Sequence, residues 1–240
     1  MAINVKKTKA MMFGRKNKTS VQAQKIVLKL GESVVNQTKL YKYLGVTLDE
    51  NLTFNCHIKQ TLKNANHKLY LLRRNRKYLN TESAILLYKS HILPILEYGC
   101  TIFMSANSNH LERLQITQNS GLKTCLEASK YTTSNLIHKK VNLNKLEERR
   151  QVHLLKDMFR RSKNINYLDK RKTGMITRSM TSVKLKVPNF LNAQSQKAII
   201  YRGSNLWNNQ DKSIKDIKEK HVFNLKMKEL LRKKLKEYIV

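Results

Sequence analysis

Ile58, Leu62, Ala65, Leu69 and Leu72 recur at steps of four and three, the spacing that stacks side chains along one face of an α-helix. Lys59, Lys63, Lys68, Arg73 and Arg74 fall between them and lie mostly away from that face. The pattern predicts an amphipathic helix, beginning about residue 55, with an apolar inner side and a basic outer side. A second helix is expected from Thr81 as N-cap to the region of Pro94, burying Ile85, Leu86 and Ile92. A third carries Leu111, Leu114, Gln118 and Leu122, and a fourth starts near Leu143 and continues through Val152, Leu155 and Phe159. The segment Asn164 to Ser182 is basic, polar and weakly patterned, which reads as a linker or mobile loop. A last helix, from about Ile217 to Tyr238, sets Phe223, Met227, Leu230, Leu231 and Tyr238 against lysines on its other side.

The first fifty residues have a different period. Ile26, Leu28 and Leu30 alternate with Val27 and Lys29 before a Gly31-Glu32 turn, Val34-Val35 follows, and Tyr41 to Leu48 is a further short run rich in strand formers. These read as a small antiparallel β-ribbon, so the fold class is α+β: a ribbon followed by a mainly helical remainder.

Charge limits the partners. With 48 Lys and Arg against 16 Asp and Glu the formal charge is +32 and the pI about 10.2, which opposes compaction of the free chain and calls for a polyanion. Nucleic acid answers best, because each phosphate neutralised releases condensed counterions irrespective of base sequence. An anionic membrane would require a polybasic block beside a greasy anchor, or one helix with a sharply apolar face, and neither stands out. The most apolar stretch, Ile85 to Met104, is interrupted by Lys89, His91 and Glu97, against a membrane span. With 40% hydrophobic residues and only 7 Gly and 2 Pro, the chain is too apolar and too poor in breakers for a disordered basic tail, and one or two folded domains are expected. Cys56, Cys100 and Cys125 are widely spaced and form no Cys-x-x-Cys pair, which speaks for a reducing compartment. Met1-Ala2-Ile3-Asn4 leads directly into lysines without an apolar signal region, so a cytoplasmic or nuclear, non-secreted protein is expected.

Catalytic signals are weak. Asp49-Glu50 and Glu147-Glu148 are adjacent carboxylates, but strand neighbours point to opposite faces and helix neighbours diverge, so neither makes a two-metal phosphoryl-transfer site. His57, His67, His91, His110, His138, His153 and His221 show no zinc-type spacing with one another or with cysteine, and no metal site is expected. There is no glycine-rich phosphate loop, and Cys56-His57 are sequence neighbours without a nucleophile's geometry. Tyr70, Tyr78, Tyr88, Tyr98, Tyr131, Tyr167, Tyr201 and Trp207 are interleaved with the basic residues. They could stack on unpaired bases, though core or interface roles are the commoner reading for most of them.

Short phrases in the sequence carry a family likeness. Asn4-Val5-Lys6-Lys7-Thr8 followed by Ala10-Met11-Met12-Phe13 is similar to the motif D segment of non-LTR retrotransposon reverse transcriptases. Tyr43-Leu44-Gly45-Val46-Thr47-Leu48-Asp49 resembles motif E, their primer-grip hairpin, and Phe54-x-x-His57-Ile58 resembles the opening of their first thumb helix. Leu93-Pro94-Ile95-Leu96-Glu97-Tyr98-Gly99, and His110-Leu111-x-x-Leu114-Gln115 with Gln118-Asn119, are similar to phrases of the thumb region. Tyr201-Arg202-Gly203-Ser204-Asn205-Leu206-Trp207-Asn208 and Phe223-x-x-x-Met227 resemble the tail of jockey-like polyproteins. The phrases occur in family order over nearly the whole chain.

The resemblance implies a division into the end of a palm at 1–54, a helical thumb at 55–163, and a basic linker with a helical C-terminal extension at 164–240. It makes Lys7 a candidate for protonating the leaving pyrophosphate, and Tyr43, Leu44, Gly45 and Val46 candidates for holding the primer end. Lys59, Lys63, Arg73 and Arg74 become candidates for contacting RNA, DNA or RNA·DNA hybrid through phosphates. The family's metal-binding aspartates lie just upstream of motif D, and Met1 stands three residues before Asn4, so neither they nor the Mg2+ they hold are expected in this chain. The implied protein is a nucleic-acid-gripping fragment without polymerase activity of its own, with an absent fingers and palm region as a further partner. The rival readings are a stand-alone basic RNA- or DNA-binding module and an assembly protein.

Overall fold

The computed structural model describes Asn4 and residues 8–13, 27–163, 184–190 and 196–238. Lys7, Ile26, Tyr167 and the expected linker from Asn164 to Ser182 lie outside the described residues.

Among the described residues the β-region is three two-stranded pieces. Strand β1 (Lys9–Ala10) runs parallel to β4 (Asn36–Gln37), β2 (Lys29–Leu30) pairs antiparallel with β3 (Ser33–Val34), and β5 (Leu40–Tyr43) pairs antiparallel with β6 (Val46–Asp49). The expected single antiparallel ribbon is thus corrected in one respect, because one pair is parallel. Alternation along a strand sets which side chains share a face, not the direction of the partner, and a parallel partner needs a long connection of the kind residues 11–35 provide.

Helix α1 (Asn55–Asn75) buries Ile58, Leu62, Ala65, Leu69 and Leu72, the five residues that its period selects. It tightens into a 3-10 turn at Arg76–Tyr78. Helix α2 (Thr81–Leu87) starts one residue earlier than expected, with Asn80 as the cap: its Oδ1 accepts from the Ser83 N–H at 2.7 Å. Ala84 and Tyr88, one turn apart, face inward; Leu86 stands two residues from each and is 67% exposed, correcting its expected burial. The apolar run Ala84 to Leu87 has no period of its own to decide this. A π-helical turn at Tyr88–Ile92, closed by the Leu93 N–H on the Tyr88 carbonyl, leads into α3 (Leu93–Glu97). Pro94 has no N–H to give, and the chain passes it by widening one turn instead of ending the helix.

After α4 (Cys100–Phe103), helix α5 (Ser108–Leu126) packs along α1. Gly121 lets α5 close on the π-helical turn, since a Cβ there would meet Tyr88 Cε2 at 2.4 Å. Helix α6 (Ser134–Val141) has no counterpart among the expected elements, and α7 (Leu146–Ser162) begins three residues after the expected start at Leu143. Glu147 and Glu148 occupy the first turn of α7, where the helix dipole favours negative charge. Helices α8 (Ile199–Asn208), α9 (Lys212–Lys215) and α10 (Lys220–Lys236) complete the chain.

Among the described residues two hydrophobic cores form. The first gathers α1 to α6 around Ile58, Leu69, Tyr88, Leu96, Leu114 and Leu122. The second packs α7 against α8 and α10, with Phe159 stacked on Phe223 at 4.1 Å and Trp207 fully buried beside both. Helix α7 enters both cores and therefore joins segments from either side of residue 164.

A buried polar network ties the ends of these helices. Gln118 Nε2 donates to the Asn144 carbonyl, while Gln118 Oε1 and Gln115 Oε1 accept from the Leu146 N–H. Asn144 Nδ2 donates to Glu148 and to the Leu231 carbonyl, and the Tyr238 hydroxyl donates to Glu148 at 2.7 Å. His138, fully buried, holds the Leu143 carbonyl with Nδ1 and faces the Asn119 side-chain amide with Nε2 at 2.9 Å.

Burial depresses the His138 pKa below its ordinary 6.5, and burial does the same at His57 and His153. An unfolded imidazole takes its proton near 6.5 while these folded ones resist it, so the unfolded chain binds more protons in acid. Stability is therefore full above that value and is lost as pH falls below it. Urea unfolding at about pH 7.5 and about pH 5.5 should show a lower midpoint in acid, and His138→Gln should shrink the difference. An unchanged difference in that variant would mean that His138 does not carry the effect.

Candidate nucleic-acid interface

The β5–β6 hairpin turns through Leu44 and Gly45, both at positive φ, 45° and 82°, as a two-residue primed turn demands. Its tip rests on the corner between α3 and α4. The Tyr98 hydroxyl donates to the Leu44 carbonyl at 2.6 Å, and a Cβ on Gly45 would sit 2.9 Å from Tyr98 Cε1. Gly99, at φ 66°, is matched to Val46, whose Cγ2 would lie 2.8 Å from a Cβ there. The phrases around Gly45 and Tyr98-Gly99, 54 residues apart, are the two halves of one contact.

Further along, the Thr47 N–H donates to His57 Nδ1 at 3.4 Å, and burial, with the nearby Lys42, lowers the pKa of that imidazole. The Asp49 carboxylate accepts from the N–H groups of Asn51, Thr53 and Phe54 at 3.2, 3.0 and 2.8 Å and from the Thr53 hydroxyl. It fastens the hairpin to the start of α1, where the helix dipole also favours a carboxylate. Asp49 is thereby occupied structurally.

The four hairpin candidates divide. Tyr43 and Leu44 project into solvent, Gly45 supplies the turn, and Val46 is 4% exposed and packs into the first core. On α1, Lys59, Lys63 and Arg74 are exposed, and the helix that carries them contains no Asp or Glu. Lys59, Lys63, Asn66, Tyr70 and Arg73 follow one another at steps of four and three, each one residue after a member of the buried seam, so they form one stripe along its flank. Arg73 is exposed but tethered: Nη2 donates to Ser120 Oγ at 2.6 Å and Nε to Thr124 Oγ1 at 3.4 Å.

Four of the seven described aromatics among those interleaved with the basic residues are not core residues. Tyr88 and Trp207 are buried and Tyr201 is half-buried, but Tyr70, Tyr78, Tyr98 and Tyr131 are exposed. Each exposed tyrosine sits on a helix flank, a turn or a loop, where a residue count cannot reveal its direction. Among the described residues no group of three His, Cys, Asp or Glu side chains converges to hold a metal ion, and no helix is long and apolar enough to cross a membrane.

Tyr98 and Gly45 should prove mutually dependent. Tyr98→Phe should cost about 1 kcal/mol through the lost hydrogen bond, and Gly45→Ala about 1–3 kcal/mol through the crowded ring and the positive φ. In both variants, hydrogen exchange at the Val46 amide should speed up more than exchange within the second core. Equal acceleration in the two places would mean that the hairpin has no local anchor at Tyr98.

Three relatives show where such a sequence occurs. The chain is 30% identical over 170 residues, 69% of its length, to a probable RNA-directed DNA polymerase from transposon BS of Drosophila melanogaster. It is 29% identical over 146 residues to a probable RNA-directed DNA polymerase from transposon X-element, and 30% identical over 142 residues to the RNA-directed DNA polymerase from mobile element jockey, both of the same organism. The matched regions cover 18%, 16% and 16% of those proteins. No protein-family profile matches the chain, and no solved structure matches it. The chain belongs with the jockey-like reverse transcriptases of non-LTR retrotransposons, matched over less than a fifth of the length of these relatives.

Proposed function

We propose that this chain grips the sugar-phosphate backbone of a primer–template hybrid, with the tip of the β5–β6 hairpin at the primer end and the outer face of α1 along the phosphates. The observation that carries this reading is the cationic stripe of α1, free of acids and fastened at its start to the hairpin through His57 and Asp49. From Lys59 to Arg73 the helix rises roughly 21 Å, about six nucleotide steps of one strand. Contacts of this kind position a duplex without reading its bases, because cationic side chains meet phosphate oxygens alike at every sequence.

The names of the relatives supply the reaction class: in an RNA-directed DNA polymerase such a grip holds the primer end while nucleotides are added. Lys7 remains the candidate for protonating the leaving pyrophosphate. The Mg2+ chemistry of such an enzyme would belong to carboxylates other than Asp49, which is engaged with the loop that follows it. Fingers and palm segments of a complete polymerase are the natural partners of this surface, and the chain alone is proposed to add no nucleotides.

Binding to a blunt RNA·DNA hybrid, measured over a series of salt concentrations, tests the proposal. The logarithm of affinity should fall linearly with the logarithm of salt and be indifferent to base sequence. Replacing Lys59, Lys63 and Arg74 together by Ala should lower the magnitude of that slope by about three, one for each phosphate no longer neutralised. The grip is excluded if the hybrid is ignored at low salt or the triple replacement leaves the slope unchanged.

A further inference from the structure

The last turns of α1 and α5 enclose an open cleft of about 470 Å³, lined among others by Arg73, Ser120, Lys123, Thr124 and Lys130. Its one carboxylate, Glu127, faces Arg76 at 3.6 Å. Arg76 is itself committed to the fold: its guanidinium donates to the carbonyls of Thr124, Cys125 and Leu79, closing the C-terminal end of α5. The remaining polar groups at the cleft are Arg73, two lysines and two hydroxyls. Arg73 is held in place by those hydroxyls, and Lys123 is tied to the Lys130 carbonyl, so the cations are set in advance.

Two tyrosines stand close in sequence to residues that line this cleft. Tyr131 follows the cleft residue Lys130, and Tyr78 lies two residues after Arg76. They are 81% and 75% exposed, the highest values among the exposed aromatic side chains of the described residues. Each carries a lysine ammonium near its ring, Lys130 at 4.9 Å from the Tyr131 centroid and Lys77 at 4.8 Å from that of Tyr78. A cation over one face of a ring leaves the other open and supplies a charge beside any base stacked there.

We propose that this cleft binds an unpaired nucleic-acid strand, one phosphate seated among Arg73, Lys123 and Lys130 and neighbouring bases stacked on Tyr131 and Tyr78. Stacking on an exposed ring requires a base whose face is free, which a duplex interior does not offer, whereas every unpaired base has one. The site is separate from the hairpin, lying some 24 Å away by the rise of α1 from His57 to Arg73. It shares with the proposed grip the premise that the chain meets nucleic acid and the residue Arg73, while Lys123, Lys130, Tyr78 and Tyr131 belong to this site alone.

The full chain should be titrated with a labelled oligothymidylate of about fifteen nucleotides and, separately, with a blunt RNA·DNA hybrid. In Tyr78→Ala/Tyr131→Ala, oligothymidylate affinity should fall at least about tenfold while hybrid affinity changes less than about twofold. Tyr78→Phe/Tyr131→Phe should restore most of the single-strand affinity, since the stacking face is kept. Both rings are at the surface, so the thermal midpoint should not move, and it serves as the check on folding. Single-strand affinity that survives the double Ala replacement overturns the site; so does an equal loss for both ligands, or a Phe pair that behaves like the Ala pair. Hybrid binding that depends on Lys59, Lys63 and Arg74, together with oligothymidylate binding that survives loss of both tyrosines, would leave the grip standing without this site.

Discussion

The buried seam of α1 is the interaction on which the rest of the structure depends. A chain of charge +32 compacts against its own repulsion, so apolar burial has to be concentrated where cations do not interrupt it. Ile58, Leu62, Leu69 and Leu72 are almost wholly buried, each contributing on the order of 1.5–3 kcal/mol, and every basic residue of the helix is kept off their face. The same period that removes the leucines from water leaves the cations exposed, so core and surface are two consequences of one pattern.

Four of the described acids are committed to places other than that surface. Glu97 is paired with Arg149 between α3 and α7, and Glu148 takes hydrogen bonds from Asn144 and Tyr238. Asp49 holds the entry to α1, and Glu127 faces the guanidinium that closes α5. These carboxylates are engaged with the folded interior or its seams, and the lysines on the outer faces are left without them. A chain rich in cations has placed these acids where the fold needs them.

How much was legible in the sequence follows from the same division. Period alone selected the inner face of α1 and placed Leu114, Gln118, Leu122, Phe223 and Met227 inward, because each belongs to a helix with one apolar side. It failed at Leu86, in an unbroken apolar run, and at α6, whose eight residues are too few to display a stripe. Asn80 and Thr81 are both good caps, and only the hydrogen bond to Ser83 distinguishes them. The hairpin was legible as a phrase, but Tyr98 as its anchor was not, since nothing local couples positions 54 residues apart. Gln115, His138 and Asn144, unlike Gln118, are polar residues that no apolar stripe selects. They lie inside because together they satisfy one another and the backbone groups at the start of α7.

Helix α1 converts this packing into fixed spacing. It contains neither glycine nor proline, its start is pinned through His57 and Asp49, and its end is pinned where Arg76 grasps the last carbonyls of α5. A rod held at both ends and along its inner seam cannot change length or turn about its axis without opening the first core. The hairpin tip, the cationic stripe and the cleft at the far end therefore keep constant separations. A polymer of regular phosphate spacing is the kind of ligand for which constant separation matters, because each contact made at the correct interval lowers the entropic cost of the next.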